Sequence, residues 1–206
     1  MAGGKIRMDA VKFILDRYNI DTSKPLPYVL PFSRWGDFVR NLRKFGYKTG
    51  VEVGVDRGLM SKAICMANPG VKLYCVDPWI TYDEYGDIRD QNQIEANELK
   101  ARERLAEFDV TIIKKASMEA VKYFAPNSVD FVWIDGNHAF DWVMEDIIYW
   151  SRIVRPGGIV AGHDYGTKYP YWGVIQAVNA YVDYNKIDPW FIFNTDKSPG
   201  WFWIKK

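Results

Sequence analysis

The chain has 206 residues, enough for one domain of ordinary size with a sizeable core. Its 27 Lys and Arg stand against 26 Asp and Glu, which excludes the basic excess of a broad nucleic-acid footprint. No apolar run approaches the ~20 residues needed to span a bilayer, so no membrane partner is expected.

The opening residues carry Lys5, Arg7 and Asp9 where a signal peptide would have its apolar core. Cys65 and Cys75 lack metal-type spacing and read as buried free thiols, which suits a reducing, cytoplasmic location. Lys5 to Tyr18 has the pattern of an amphipathic helix, with Met8, Val11, Ile14, Leu15 and Tyr18 on one face. The prolines at 25, 27 and 31 predict a linker or lid-like loop, and Ser33 is placed to cap a second helix running to Phe45. Residues 1–48 are thus expected to form a helical cap or lid, and 49–206 the functional domain, within one structural unit.

From Gly50 the pattern alternates. Strand Gly50–Val53 leads through Gly54 and Gly58 into helix Leu59–Ala67, and strand Val71–Val76 ends in Asp77-Pro78-Trp79. One long helix is predicted from Tyr85 to Phe108, with Ile94, Leu99, Leu105 and Phe108 facing inward. Strand Val110–Ile113, helix Met118–Phe124, strand Val129–Ile134, helix Phe140–Val154 and strand Ile159–Ala161 follow in order. Strands separated by helices imply right-handed crossovers and a mostly parallel sheet covered on both faces. After helix Val174–Tyr184, the runs Trp190–Asn194 and Trp201–Ile204 flank a Pro-Gly turn, so the sheet should end in an antiparallel hairpin. The predicted fold class is therefore α/β, a Rossmann-like three-layer sandwich with a seven-stranded sheet and N-terminal helices.

In such a sheet, ligands bind beyond the carboxyl ends of the strands, near the point where strand order reverses. The polar residues at those ends are Glu52, Asp77, Ser117, Asp135, and the pair His163 and Asp164. One acid there can be a helix cap, but repetition at successive strands favours a shared site. The stretch Glu52 to Gly58 leaves backbone N–H groups and a helix N-terminus free for an anion, and the G-x-x-x-G spacing departs from the dinucleotide fingerprint. Asp77 can accept both hydroxyls of a ribose or cap its own turn; Ser117 can lie beside an adenine or cap the next helix.

The series Glu52-x-Gly54-x-x-x-Gly58, Asp77-Pro78-Trp79, Asp135-Gly136-Asn137-His138, Pro156-Gly157-Gly158 and Gly162-His163-Asp164-Tyr165 resembles the class I S-adenosylmethionine-dependent methyltransferases. Within them it is similar to the macrocin-type sugar O-methyltransferases and, more distantly, to catechol O-methyltransferase. The resemblance runs from about Thr49 to the C-terminus. It implies that Glu52, Gly54, Gly58 and Ser61 bound the methionine end of the cofactor. It implies further that Asp77 holds the ribose and Ser117 lies by the adenine, with Asp135 also facing the cofactor. In metal-dependent members the matching positions, here Asp135, His163 and Asp164, bind a divalent cation such as Mg2+ or Mn2+. His138 falls where catechol O-methyltransferase carries its proton acceptor, so the catalytic set implied is His138, Asp135 and His163. His163 is a departure: close metal-dependent relatives have an acid there, and imidazole is a poor ligand for magnesium.

The acceptor implied is a small-molecule hydroxyl, on a sugar or a phenol, and a homodimer is one assembly the resemblance allows. The aromatic segment Tyr165–Trp172 follows the last parallel strand, where acceptor loops of this fold lie; Tyr28, Tyr82 and Tyr85 are further candidates to close the pocket. Two competing readings are a non-catalytic cofactor-binding scaffold and a nicotinamide-dependent enzyme. The missing third glycine counts against the latter, and His138 beside Asp135 against the former, because binding alone needs neither.

Overall fold

Alternating apolar strands and amphipathic helices assemble, in the computed structural model, around one eight-stranded sheet. Residues 9–81, 90–166 and 169–206 are described. The strands are β1 (Tyr28–Leu30), β2 (Thr49–Val53), β3 (Lys72–Val76), β4 (Val110–Ile113), β5 (Val129–Ile134), β6 (Val154–Gly162), β7 (Trp190–Phe193) and β8 (Gly200–Ile204). Their order across the sheet is β1-β7-β8-β6-β5-β2-β3-β4. Only β8 runs against its neighbours, inserted between β6 and β7. The expected mostly parallel Rossmann-like sheet with its antiparallel hairpin is the fold observed. The direction of winding reverses at β2 and β5, which pair in parallel, so the crevice for a ligand lies at their carboxyl ends.

Helices cover both faces. On one side lie α1 (Ala10–Arg17), α2 (Val39–Lys44), α3 (Leu59–Ala67) and α4 (Gln91–Leu105); on the other, α5 (Ser117–Ala120), α6 (Phe140–Ile153) and α7 (Val174–Tyr184). Strand β5 shows why: Phe131 and Trp133 point into the first core, Val132 and Ile134 into the second, as period-2 side chains must.

The N-terminal third departs from its expectations in three places. The proline-bracketed stretch, read as a loop, supplies the eighth strand, because Tyr28, Val29 and Leu30 pair in parallel with Phe191, Ile192 and Phe193. Prolines are tolerated at a sheet edge where no partner needs their N–H. Tyr28 accordingly packs on Phe191 in the core and is not a pocket wall. Ser33 does cap the following helix, accepting from the Gly36 N–H at 3.2 Å, but Arg34–Phe38 form a wider turn before α2 begins. The predicted helices at 5–18 and 85–108 begin outside the described residues; their described parts start at caps Asp9 and Asp90. On α4 the buried face is Asn97, Glu98, Ala101 and Leu105. Leu99 is 68% exposed, on the opposite side of the helix from that stripe at a 3.6-residue period.

Asp130 ties the start of β2 to β5. One carboxylate oxygen accepts from the Lys48 and Thr49 N–H groups at 2.6 and 3.0 Å, and the other from Arg155 Nε at 2.6 Å. Removing it strands a buried guanidinium and two backbone donors. Asp130→Ala should therefore cost about 3–5 kcal/mol in urea denaturation, whereas an exposed control such as Glu103→Ala should stay within ~0.5 kcal/mol.

Candidate active site

The turn after β2 is shaped by a contact no side chain could survive. Gly54 has φ +87°, and a Cβ there would stand 2.0 Å from the Asp135 carbonyl oxygen. The ends of β2 and β5 are thereby pressed together, with the Asp135 N–H donating to the Val53 carbonyl at 2.7 Å. Gly58, also left-handed at φ +71°, opens α3. Asp77, at the end of β3, braces this turn: one oxygen accepts from the Val55 and Asp56 N–H groups at 2.9 Å each, the other from Trp79 N–H at 2.8 Å. The Trp79 indole N–H then closes on the Asp56 carbonyl at 2.9 Å, and Asn97 holds the Asp56 carboxylate at 2.7 Å. Asp77 is at the expected place, with most of its accepting capacity already spent on the loop.

Glu52 and Ser61 are brought together, behind the glycine turn. Glu52 is 1% exposed and accepts the Ser61 hydroxyl, which in turn lies 3.3 Å from the Cys75 thiol. Burial pushes the Glu52 carboxyl well above the usual range, the Ser61 hydrogen bond offsetting only part. A carboxyl so placed holds α3 against β2. Both cysteines are buried and free, as expected.

Ser117 is likewise committed. Its hydroxyl accepts from the Trp150 indole N–H at 2.7 Å and donates to Asp146, a buried acid on α6.

The chemistry-bearing groups converge at the ends of β5 and β6. His138 Nε2 lies 2.9 Å from Asp164 Oδ2 and 3.6 Å from Asp135 Oδ1. His163 Nδ1 lies 3.1 Å from Asp164 Oδ1 and 3.7 Å from Asp135 Oδ1. Asp164 holds a left-handed backbone at φ +55°, the kind of strain that clusters at functional sites. Burial opposes charge on both imidazoles, but the two carboxylates override it and raise each histidine to about 9. Conversely, burial would raise Asp135 and Asp164, and the histidines instead hold both well below the usual carboxylate range. In the free protein at neutral pH the histidines are therefore imidazoliums paired with carboxylates. Ligand atoms of Asp135, His138 and Asp164 lie within 4.8 Å of one another, close enough to share one cation. That trio contains His138 where the sequence pointed to His163, which sits deeper, 8% exposed, behind the carboxylates.

One neighbour escaped sequence reading, and one lies in the aromatic segment it named. Arg34, on the turn before α2, brings its guanidinium 3.7 Å from Asp135. Nothing local marks it, since the contact spans a hundred residues. Trp172 stacks obliquely on His138 with ring centres 4.6 Å apart, and Tyr169 packs edge-on against Trp172. The aromatic segment after β6 thus does face the site, although Thr167 and Lys168, with Tyr82 and Tyr85, lie outside the described residues. Tyr165 turns away to Asn179 and Trp190.

A parallel sheet with strand-end acids and imidazoles at its switch point defines a ligand-binding α/β domain. A family model described as a methyltransferase domain matches residues 51–165, more than half the chain, and the chain belongs to that family. Solved structures share the fold. The O-methyltransferase TomG from Streptomyces achromogenes, in complex with S-adenosylmethionine, superposes with TM-score 0.58 at 12% identity over 98% of this chain and 92% of that one. A Staphylococcus aureus protein assigned as a caffeoyl-CoA O-methyltransferase gives 0.60 at 15% identity over 94% and 91%. An O-methyltransferase from Bacillus cereus, in complex with S-adenosylhomocysteine, gives 0.57 at 12% over 100% and 93%. No curated protein gives a significant sequence match. Among the described residues no helix is long and apolar enough to cross a membrane.

Asp146 carries a stability consequence. Burial pushes its carboxyl up to about 7, with the Ser117 hydrogen bond only partly offsetting it. The folded chain therefore keeps this proton to higher pH than the unfolded chain does. The stabilisation is complete below about pH 4 and is lost as pH rises to about 7. Asp146→Asn should remove that slope and leave the variant the more stable by a few kcal/mol at pH 8, as read from urea denaturation at pH 4, 6 and 8.

Proposed function

We propose that the chain transfers the methyl group of S-adenosylmethionine to a hydroxyl of a small molecule, with a sugar as the favoured acceptor. The observation that carries this reading is the cluster of Asp135, His138, His163 and Asp164 beside the Gly54 turn, with Trp172 over His138. The Gly54–Gly58 turn, with glycine at two of its three left-handed positions, takes the amino-acid end of the methyl donor. Asp77 keeps that turn in shape and offers its remaining accepting capacity to the ribose. Trp172 and Tyr169 supply faces against which the C–H surface of a sugar, or a phenol ring, can lie.

In the transfer, the acceptor oxygen forms a bond to the methyl carbon as the carbon–sulfur bond breaks, and that electron pair stays on sulfur. The hydroxyl proton passes to the group formed by Asp135, His138 and Asp164. His138 takes it once its own proton has left to solvent, and the two carboxylates hold the imidazole in line between them. Asp135, His138 and Asp164 also fit a divalent cation, whose mixed oxygen and nitrogen ligands suit manganese better than magnesium. Such an ion would lower the pKa of a bound hydroxyl. Arg34, approaching Asp135 from the segment 1–48, supports a role for that segment as cap over the site.

Isothermal titration with S-adenosylhomocysteine is the first test; a folded sample that takes up none would end the reading. Asp135→Ala should lower methyl transfer from labelled donor to a sugar panel by at least ~100-fold while leaving the far-ultraviolet spectrum unchanged. Undiminished transfer in excess chelator would remove the cation from the scheme.

A further inference from the structure

Arg34 is a cation at the site that the transfer scheme leaves without a task. Its Nε is buried and has no hydrogen-bond partner among the described residues. Its Nη1 comes to 3.7 Å from Asp135 Oδ2, beyond hydrogen-bond length. The imidazoles meet the other oxygen, with His138 and His163 at 3.6 and 3.7 Å from Oδ1. Asp135 thus turns one oxygen to the guanidinium and the other to the rings. The face of the guanidinium is taken by Trp35, whose ring centre lies 4.6 Å from Cζ. Stacking of this kind leaves the N–H edge in the guanidinium plane open, and that edge is the fork that fits a carboxylate or a phosphate.

The way Arg34 is held puts it on the acceptor's side of the crevice. Its backbone N–H donates to Asp196 Oδ2 at 2.7 Å, in the turn between β7 and β8. The same turn carries Pro199, whose carbonyl accepts from the Tyr165 N–H at 2.9 Å, where the aromatic segment begins. Arg34 and the segment that lays Trp172 over His138 are therefore hung on one turn. The donor's own carboxylate has other N–H groups to meet, in the Gly54–Gly58 turn and at the start of α3. A guanidinium only 19% exposed, with its fork open, calls for an anion from outside the protein.

We propose that Arg34 receives an oxyanion of the acceptor, so that the molecule methylated is an acidic sugar, its anion a carboxylate or a phosphate. Arg34 is then the residue that sets acceptor specificity, holding the anion while a neighbouring hydroxyl faces Asp135 and His138. The inference rests on the methyl-transfer reading above.

The test measures transfer from labelled S-adenosylmethionine to D-glucose, D-glucuronate and D-glucose 6-phosphate, and to the matching galactose and mannose sets. In at least one set an anionic member should have a KM about 10- to 100-fold below that of its neutral parent. Which member does so tells a carboxylate from a phosphate. Arg34→Gln should raise that KM to the level of the neutral sugar while lowering kcat by less. Arg34→Lys, which keeps the charge but not the fork, should recover part of the gap. The urea midpoint shows whether Arg34→Gln is folded; if it is not, the wild-type panel and Arg34→Lys decide alone. Folded Arg34→Gln should bind S-adenosylhomocysteine as wild type does, and weakened binding would put the guanidinium on the donor and overturn the proposal. Neutral sugars used as well as acidic ones overturn it too, as does a preference retained in Arg34→Gln. So does failure to methylate any acidic sugar by protein that binds S-adenosylhomocysteine. Folded wild type that binds no S-adenosylhomocysteine would instead overturn the methyl-donor reading, and this inference with it.

Discussion

The site depends on one close approach. Gly54 lets the carboxyl ends of β2 and β5 come together until only a hydrogen atom fits between its α-carbon and the Asp135 carbonyl. That contact puts the glycine turn, which would hold the donor, directly beside the acids and imidazoles that would handle the acceptor. A substitution there would fail twice, because the left-handed backbone also disfavours a side chain. Asp77 then fixes the shape of the turn with three backbone hydrogen bonds, and Trp79 locks Asp77's own loop back onto Asp56.

Beside that crossing, charge is arranged in compensating pairs. Two carboxylates and two imidazoles share a small volume, and each carboxylate contacts both rings. Such a group holds its protons tightly while it is closed on itself. It becomes useful when something displaces them, since the same lone pairs that bind protons can bind an ion or a hydroxyl. Arg34 adds a positive charge from the N-terminal segment and lies close enough to Asp135 to help keep it ionised. The segment that carries Arg34 is anchored at both ends, by β1 at the sheet edge and by α2 in the core, so the guanidinium is delivered by packed structure.

The sheet was legible because its strands are short apolar runs punctuated by Gly, Pro and Asp, and the hairpin because a Pro-Gly turn separates two aromatic runs. What escaped was set by tertiary contact. β1 is three residues among prolines and exists only because β7 offers it an edge. Leu99 looked inward because it is apolar, yet Ala101 and Leu105 define the face that α4 buries. At the site, the strand-end rule found His138, Asp135, His163 and Asp164, which lie together. It could not find Arg34, which is far away in sequence and sits at no strand end that the rule looks at.

The residues that this rule picks out also serve the fold, for a physical reason. A strand end is where ligands bind, and it is equally where turns and helix starts leave unpaired N–H groups that acids and hydroxyls satisfy. Asp77 spends three acceptances on backbone, Ser61 gives its hydroxyl to Glu52, and Ser117 gives its own to Asp146. Each of these side chains shapes the crevice as well as bordering it. The relay through Trp150 and Ser117 shows what such contacts can do: an indole N–H that can only donate converts a hydroxyl able to donate or accept into a fixed donor to Asp146.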